Sequence, residues 1–108
     1  MWGLCFDPKA IQEGWFHTVI QYKVEDNGEV TVILPETLYK PDIKYIKELP
    51  TPQYIYGEQV SPCNHPDIAG IICGIFWHFK LNRYFYKIKV NGKEKSKRYY
   101  DDDLNPAI

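Results

Sequence analysis

At 108 residues, 44% of them hydrophobic and 16% aromatic, the chain suits one domain or two very small β units fused into one, and it is too rich in core-forming side chains for disorder. Nine Tyr, five Phe and three Trp against a single Met point to β structure rather than a helical bundle. The net charge of −1 is unevenly spread: residues 1–77 hold five Lys and ten acidic residues, and residues 78–108 hold eight Lys or Arg and four acidic residues.

No stretch approaches the ~20 apolar residues of a membrane span. The opening Met1 to Asp7 has neither a basic region nor a long apolar core, so it does not read as a secretory signal, and a cytoplasmic location is the default expectation. Three Cys without a CxxC pair fit reduced thiols better than a disulfide scaffold.

Trp2 to Phe6 is a short apolar lead-in with the character of a strand. Asp7-Pro8 reads as a helix start, Asp capping and Pro at the first helical position, for one turn that Gly14 ends. Trp15 to Val24 alternates weakly, with Trp15, His17, Val19 and Gln21 on one face and Phe16, Thr18, Ile20 and Tyr22 on the other. A turn at Glu25 to Glu29 leads to a returning strand, Val30 to Leu34, which Pro35 stops. Beyond it, Leu38, Tyr39, Ile43, Tyr45, Ile46 and Leu49 are spaced loosely like a short helix, which Pro41 and Pro50 restrict to one or two turns. Leu49-Pro50-Thr51-Pro52 reads as an extended connector between a hairpin unit at 1–50 and a second unit at 54–108.

The second unit is the clearer one. Tyr54 to Pro62 enters it as a strand, and Cys63 to Asp67 is a loop. Gly70 to Phe79 is almost wholly apolar, β-branched and aromatic, which predicts a buried strand. In the next strand, Arg83 to Val90, the residues Tyr84, Tyr86, Ile88 and Val90 share one face, and Phe85, Lys87 and Lys89 share the other. Asn91-Gly92 predicts a tight hairpin turn into a third strand, Lys93 to Tyr100. The run Asp101-Asp102-Asp103 reads as a solvated turn in which Asp103 bonds backbone and Leu104 fills the core. Such short antiparallel strands with tight turns are expected to close as a small barrel.

The pattern Tyr56-Gly57-Glu58-Gln59-Val60, Gly70-Ile71-Ile72, Ile75, Trp77, Tyr86-Lys87-Ile88, Gly92, Tyr99, Tyr100 and Asp103-Leu104 resembles the SH3-like barrels of the Tudor and chromo kind over residues 54–104. That resemblance implies an all-β fold, a small SH3-like barrel plus an N-terminal β-hairpin unit, with 1–50 either an elaboration or a degenerate second barrel. In size and style the whole chain also resembles small stand-alone bacterial proteins, some of which are immunity partners of secreted toxins.

Chemistry-bearing residues are few. Cys63, His65, Cys73 and His78 are zinc-ligating types, but their spacing departs from the usual sites, and Cys73 and His78 differ in strand parity unless a bulge at Gly74 restores it. We therefore expect no metal and no cofactor, and no catalytic set stands out. Aromatic and Arg residues form binding hot spots, so Trp77, His78, Arg83, Tyr84 and Tyr100 are the candidate partner-binding residues of a non-catalytic protein-binding module, an immunity or regulatory protein. The alternative is nucleic-acid binding through Lys80, Arg83, Lys87, Lys89, Lys95, Lys97 and Arg98, since residues 80–98 hold eight basic residues against Glu94 alone.

Overall fold

The computed structural model describes residues 1–15, 18–37 and 39–106. The chain is all-β apart from short helical turns, and it divides into two compact units, Met1–Thr51 and Pro52–Ile108.

In the first unit a four-stranded antiparallel sheet has the order β3-β2-β1-β4, with β1 at Trp2–Cys5, β2 at Val19–Val24, β3 at Val30–Leu34 and β4 at Ile46–Leu49. The expected hairpin, β2 and β3, is thus extended by the apolar lead-in, which is a central strand, and by a strand from the region read as a short helix. Only Ile43–Tyr45 of that region is helical, a single 3-10 turn capped by Asp42. The side chains of Ile20, Tyr22, Val30 and Val32 pack as its core, with Ile46 against them. Asp7 caps the helix α1, Pro8–Ala10, by accepting from the Lys9 N–H at 3.0 Å, and it also accepts from the Tyr39 hydroxyl. Together these bonds, the Tyr39 one foremost, hold its carboxyl below the usual range. Trp15 closes a helical turn rather than opening β2. Phe16, His17 and Leu38 lie outside the described residues, as does the expected facing of the Trp15 side chain.

The second unit is a five-stranded antiparallel sheet of order β8-β7-β6-β5-β9. Its strands are β5 at Gln59–Pro62, β6 at Gly70–His78, β7 at Arg83–Val90, β8 at Lys93–Glu94 and β9 at Leu104–Pro106. Tyr54 to Glu58 is a turn rather than the start of β5, with the Glu58 N–H bonded to Ile55 O at 3.2 Å. Asn91 and Gly92 take the positive φ of a tight hairpin, 53° and 78°, which Gly reaches without a Cβ penalty. The expected third strand is broken: after Glu94, pairing with β7 resumes only at Tyr99, bonded both ways to Tyr86 at 2.7 and 3.0 Å. Lys95, Lys97 and Arg98 lie between, and like charges opposite Lys87 and Lys89 disfavour a continuous ladder.

The segment then makes the 3-10 turn Asp101–Asp103 and crosses to β5, pairing Leu104 with Pro62 and Pro106 with Val60. One segment therefore pairs with β7 at one end and β5 at the other, which closes the sheet on itself. Inside lie Val60, Ile72, Ile75, Tyr86, Ile88 and Leu104, all nearly or fully buried. The acidic turn is held by three separate bonds: Asp101 accepts from Tyr86 Oη at 2.7 Å, Asp102 from Arg83 at 2.9 Å and Asp103 from the Tyr100 N–H at 2.9 Å. Its three carboxylates point apart.

Candidate functional site

The alternation of β7 decides which residues meet. Tyr84, Tyr86 and Ile88 are buried, and Arg83, Phe85, Lys87 and Lys89 therefore project from the opposite face. On β6 the pairing slips between Ile72 and Gly74, so Cys73 is the extra residue of a β-bulge. That slip sets the facing of the rest of the strand. Ile75 and Trp77 turn inward opposite Tyr86 and Tyr84, and Phe76 and His78 turn outward opposite Phe85 and Arg83.

Two of the expected contact residues are thereby corrected. Trp77 and Tyr84 are 8% and 4% exposed and meet edge to face, 5.0 Å between centroids, so they belong to the core and not to an outer surface. Burial, with the Asp101 charge adding to it, pushes the Tyr84 phenol well above its ordinary pKa. His78, Arg83 and Tyr100 do come together on the outer side. The His78 ring lies 6.4 Å from Tyr100 and 6.3 Å from Phe85, and Phe85 lies 6.4 Å from Tyr100. The Arg83 guanidinium sits 4.5 Å from the Tyr100 ring centre, held there by its bond to Asp102. His78 Nδ1 accepts from the Leu81 N–H at 3.1 Å, so the proton of the neutral ring sits on Nε2.

Two aromatic members were missing from the candidate set. Phe76 stacks on Phe85 at 5.2 Å with an interplanar angle of 18°. Arg98 lies over Phe85 at 4.8 Å and Lys87 over Phe76 at 5.9 Å. Phe85 was legible from the alternation that sets it beside Lys87, whereas Phe76 depended on the bulge. Gly74 makes room for that ring: a Cβ there would stand 2.5 Å from Phe76 Cε2.

The basic residues separate in the same way. Arg83, Lys87 and Lys89 share the outer face of β7, and Arg98 joins them above Phe85. Lys80 lies in the exposed turn after β6, Lys95 follows β8 and is exposed, and Lys97 lies over the Tyr99 ring at 5.2 Å.

The zinc-type residues are dispersed. Cys63 Sγ contacts Asp102 O and Asn105 Nδ2, at 3.5 and 3.4 Å. Cys73 Sγ contacts Lys87 O at 3.4 Å, His65 lies in the exposed turn after β5, and His78 is among the outer rings. Among the described residues no group of three or more His, Cys, Asp or Glu is placed to hold a metal ion. The thiols are free, and burial pushes Cys5 and Cys73 above the usual thiol pKa. A hollow of about 350 Å³ in the first unit, lined by residues that include Glu29, Lys40 and Asp42, has its Lys40 and Glu29 paired with each other at 3.6 Å.

Fold and surface define an all-β protein of two small units, the second presenting a cation-capped aromatic cluster. Residues 14–105 match the profile of a family of unknown function (DUF6960), and the chain belongs to that family. No curated protein and no solved structure matches the chain. No helix among the described residues is long and apolar enough to cross a membrane.

Proposed function

We propose that the chain is a non-catalytic intracellular protein-binding module of the immunity or regulatory kind, and that its contact surface is the outer side of β6 and β7. The observation that carries this reading is the convergence of His78, Arg83 and Tyr100 around Phe85. Binding hot spots are built from Tyr, Trp and Arg side chains held rigid before contact, because little conformational entropy is then lost on binding. Here the rings brace one another, and Asp102 with Tyr100 holds Arg83.

For the second unit we propose an SH3-like barrel. The strand order, the closing segment shared between β7 and β5, and the 3-10 turn before β9 support it.

A second reading, nucleic-acid binding, is favoured by the shared facing of Arg83, Lys87 and Lys89. One experiment separates the two. The chain is immobilised, lysate of the source organism is passed over it with and without nuclease, and Arg83→Glu and Tyr100→Ala are run beside it. A single protein retained through nuclease treatment and lost in both variants supports protein binding. Retention that vanishes with nuclease supports nucleic acid. A capture indifferent to both variants removes the proposed surface.

A further inference from the structure

The charge on this face is only partly satisfied. Asp102 neutralises Arg83, whereas Arg98, Lys87 and Lys89 have no ion-pair partner among the described residues. Two of these three lie over aromatic rings, Arg98 over Phe85 and Lys87 over Phe76. A guanidinium over a ring keeps its N–H donors free to meet a carboxylate, and the ring restricts the side chain before a ligand arrives. Close by, Ile71 is paired opposite Lys89 and is 46% exposed, so the cations are mixed with apolar surface.

Two features oppose a phosphate polymer. The rings are already covered: Phe85 is 5% exposed, with Phe76 against it and Arg98 above it, so it offers no open face for a base to stack on. The patch is also short, because Asp101, Asp102 and Asp103 follow directly on Tyr100 and the Asp102 side chain is 78% exposed. A duplex carries a charge about every 1.7 Å and would run from the cations onto these carboxylates. A short acidic segment ends before it meets them.

We propose that this face binds an acidic protein segment, its carboxylates on Arg98 and Lys87 and its apolar side chains against Phe76 and Ile71. The proposal rests on the protein-binding reading above and names the chemistry of the partner.

The test is a fluorescence-anisotropy titration of the full chain at low ionic strength with a glutamate-rich peptide, a glutamine-for-glutamate control peptide and oligo-dT. The acidic peptide is expected to bind saturably and to weaken with salt. Arg98→Gln and Lys87→Gln should each weaken it about tenfold, the loss that ~1.4 kcal/mol of charge-assisted contact produces. Lys9→Gln, the same charge change in the first unit, should leave it unchanged. Equal binding of the control peptide, tighter binding of oligo-dT through the same two residues, or no saturable binding of the acidic peptide would each overturn the proposal. Face-dependent capture from lysate without acidic-peptide binding removes only the acidic chemistry. Absence of face-dependent capture removes the protein-binding reading itself.

Discussion

Tyr86 is the residue through which the second unit closes, and Tyr86→Phe tests that closure without opening a cavity. Its backbone pairs with Ile75 on one side and Tyr99 on the other, its ring meets Tyr54 edge to face at 5.5 Å, and its side chain is fully buried. The hydroxyl donates to Asp101 at 2.7 Å. Phe keeps the ring and removes only that bond. A hydrogen bond to a charged group contributes about 1.5–3 kcal/mol. Asp101 is half-buried and recovers water when the donor goes, which places the cost near the lower end, about 1.5 kcal/mol. In a unit of this size about 1 kcal/mol corresponds to roughly 4–8 °C, so the melting point should fall by about 6–12 °C. Urea unfolding should show a lower midpoint at unchanged slope. In a double-mutant cycle with Asp101→Asn the two losses should be non-additive by about 1 kcal/mol. A loss below about 0.5 kcal/mol, the range of ordinary surface substitutions, or an additive cycle would refute the assignment of this bond to the closure.

Other expectations follow from the same packing. Ile75→Ala removes a side chain with no exposure and should destabilise by about 2–5 kcal/mol in urea unfolding, unlike Ile71→Ala on the outer face. Gly74→Ala pushes the Phe76 ring off its present site, so near-ultraviolet circular dichroism should change and stability should fall by about 1 kcal/mol or more; an unchanged spectrum would count against the seat described for Phe76. At high pH, burial holds the phenols of Tyr22, Tyr54, Tyr84 and Tyr86 above their ordinary value and pushes Tyr56 up to about 12. Each keeps its proton more tightly folded than unfolded. Stability should be intact below the unfolded value of about 10 and decline as pH rises from there toward the folded values. Tyrosinate absorbance should therefore lag, then rise together with unfolding. Full titration near the ordinary value with the fold retained would contradict it.

Much of the second unit was legible in the sequence because its signals are local. The alternation Tyr84, Tyr86, Ile88 against Phe85, Lys87, Lys89 was read with the right facing, and Asn91-Gly92 named its own turn. Asp103 bonding backbone and Leu104 filling the core were likewise visible. What failed depends on distant partners. Ile46–Leu49 carries two charged residues and little alternation, and it becomes a strand only because Trp2–Cys5 offers it an edge. Trp77 was placed outside for want of the register slip at Cys73, a one-residue change that reverses the facing of all that follows. The same slip brings Phe76 to the surface, and no local pattern announces it.

The central claim is that the outer side of β6 and β7 carries the binding function. The measurement that tests it most directly is capture from source lysate by the full chain and by Arg98→Glu, with both proteins first shown to melt alike. A nuclease-resistant protein partner retained by the parent chain and lost from Arg98→Glu is the predicted result. Equal retention by both would contradict the account.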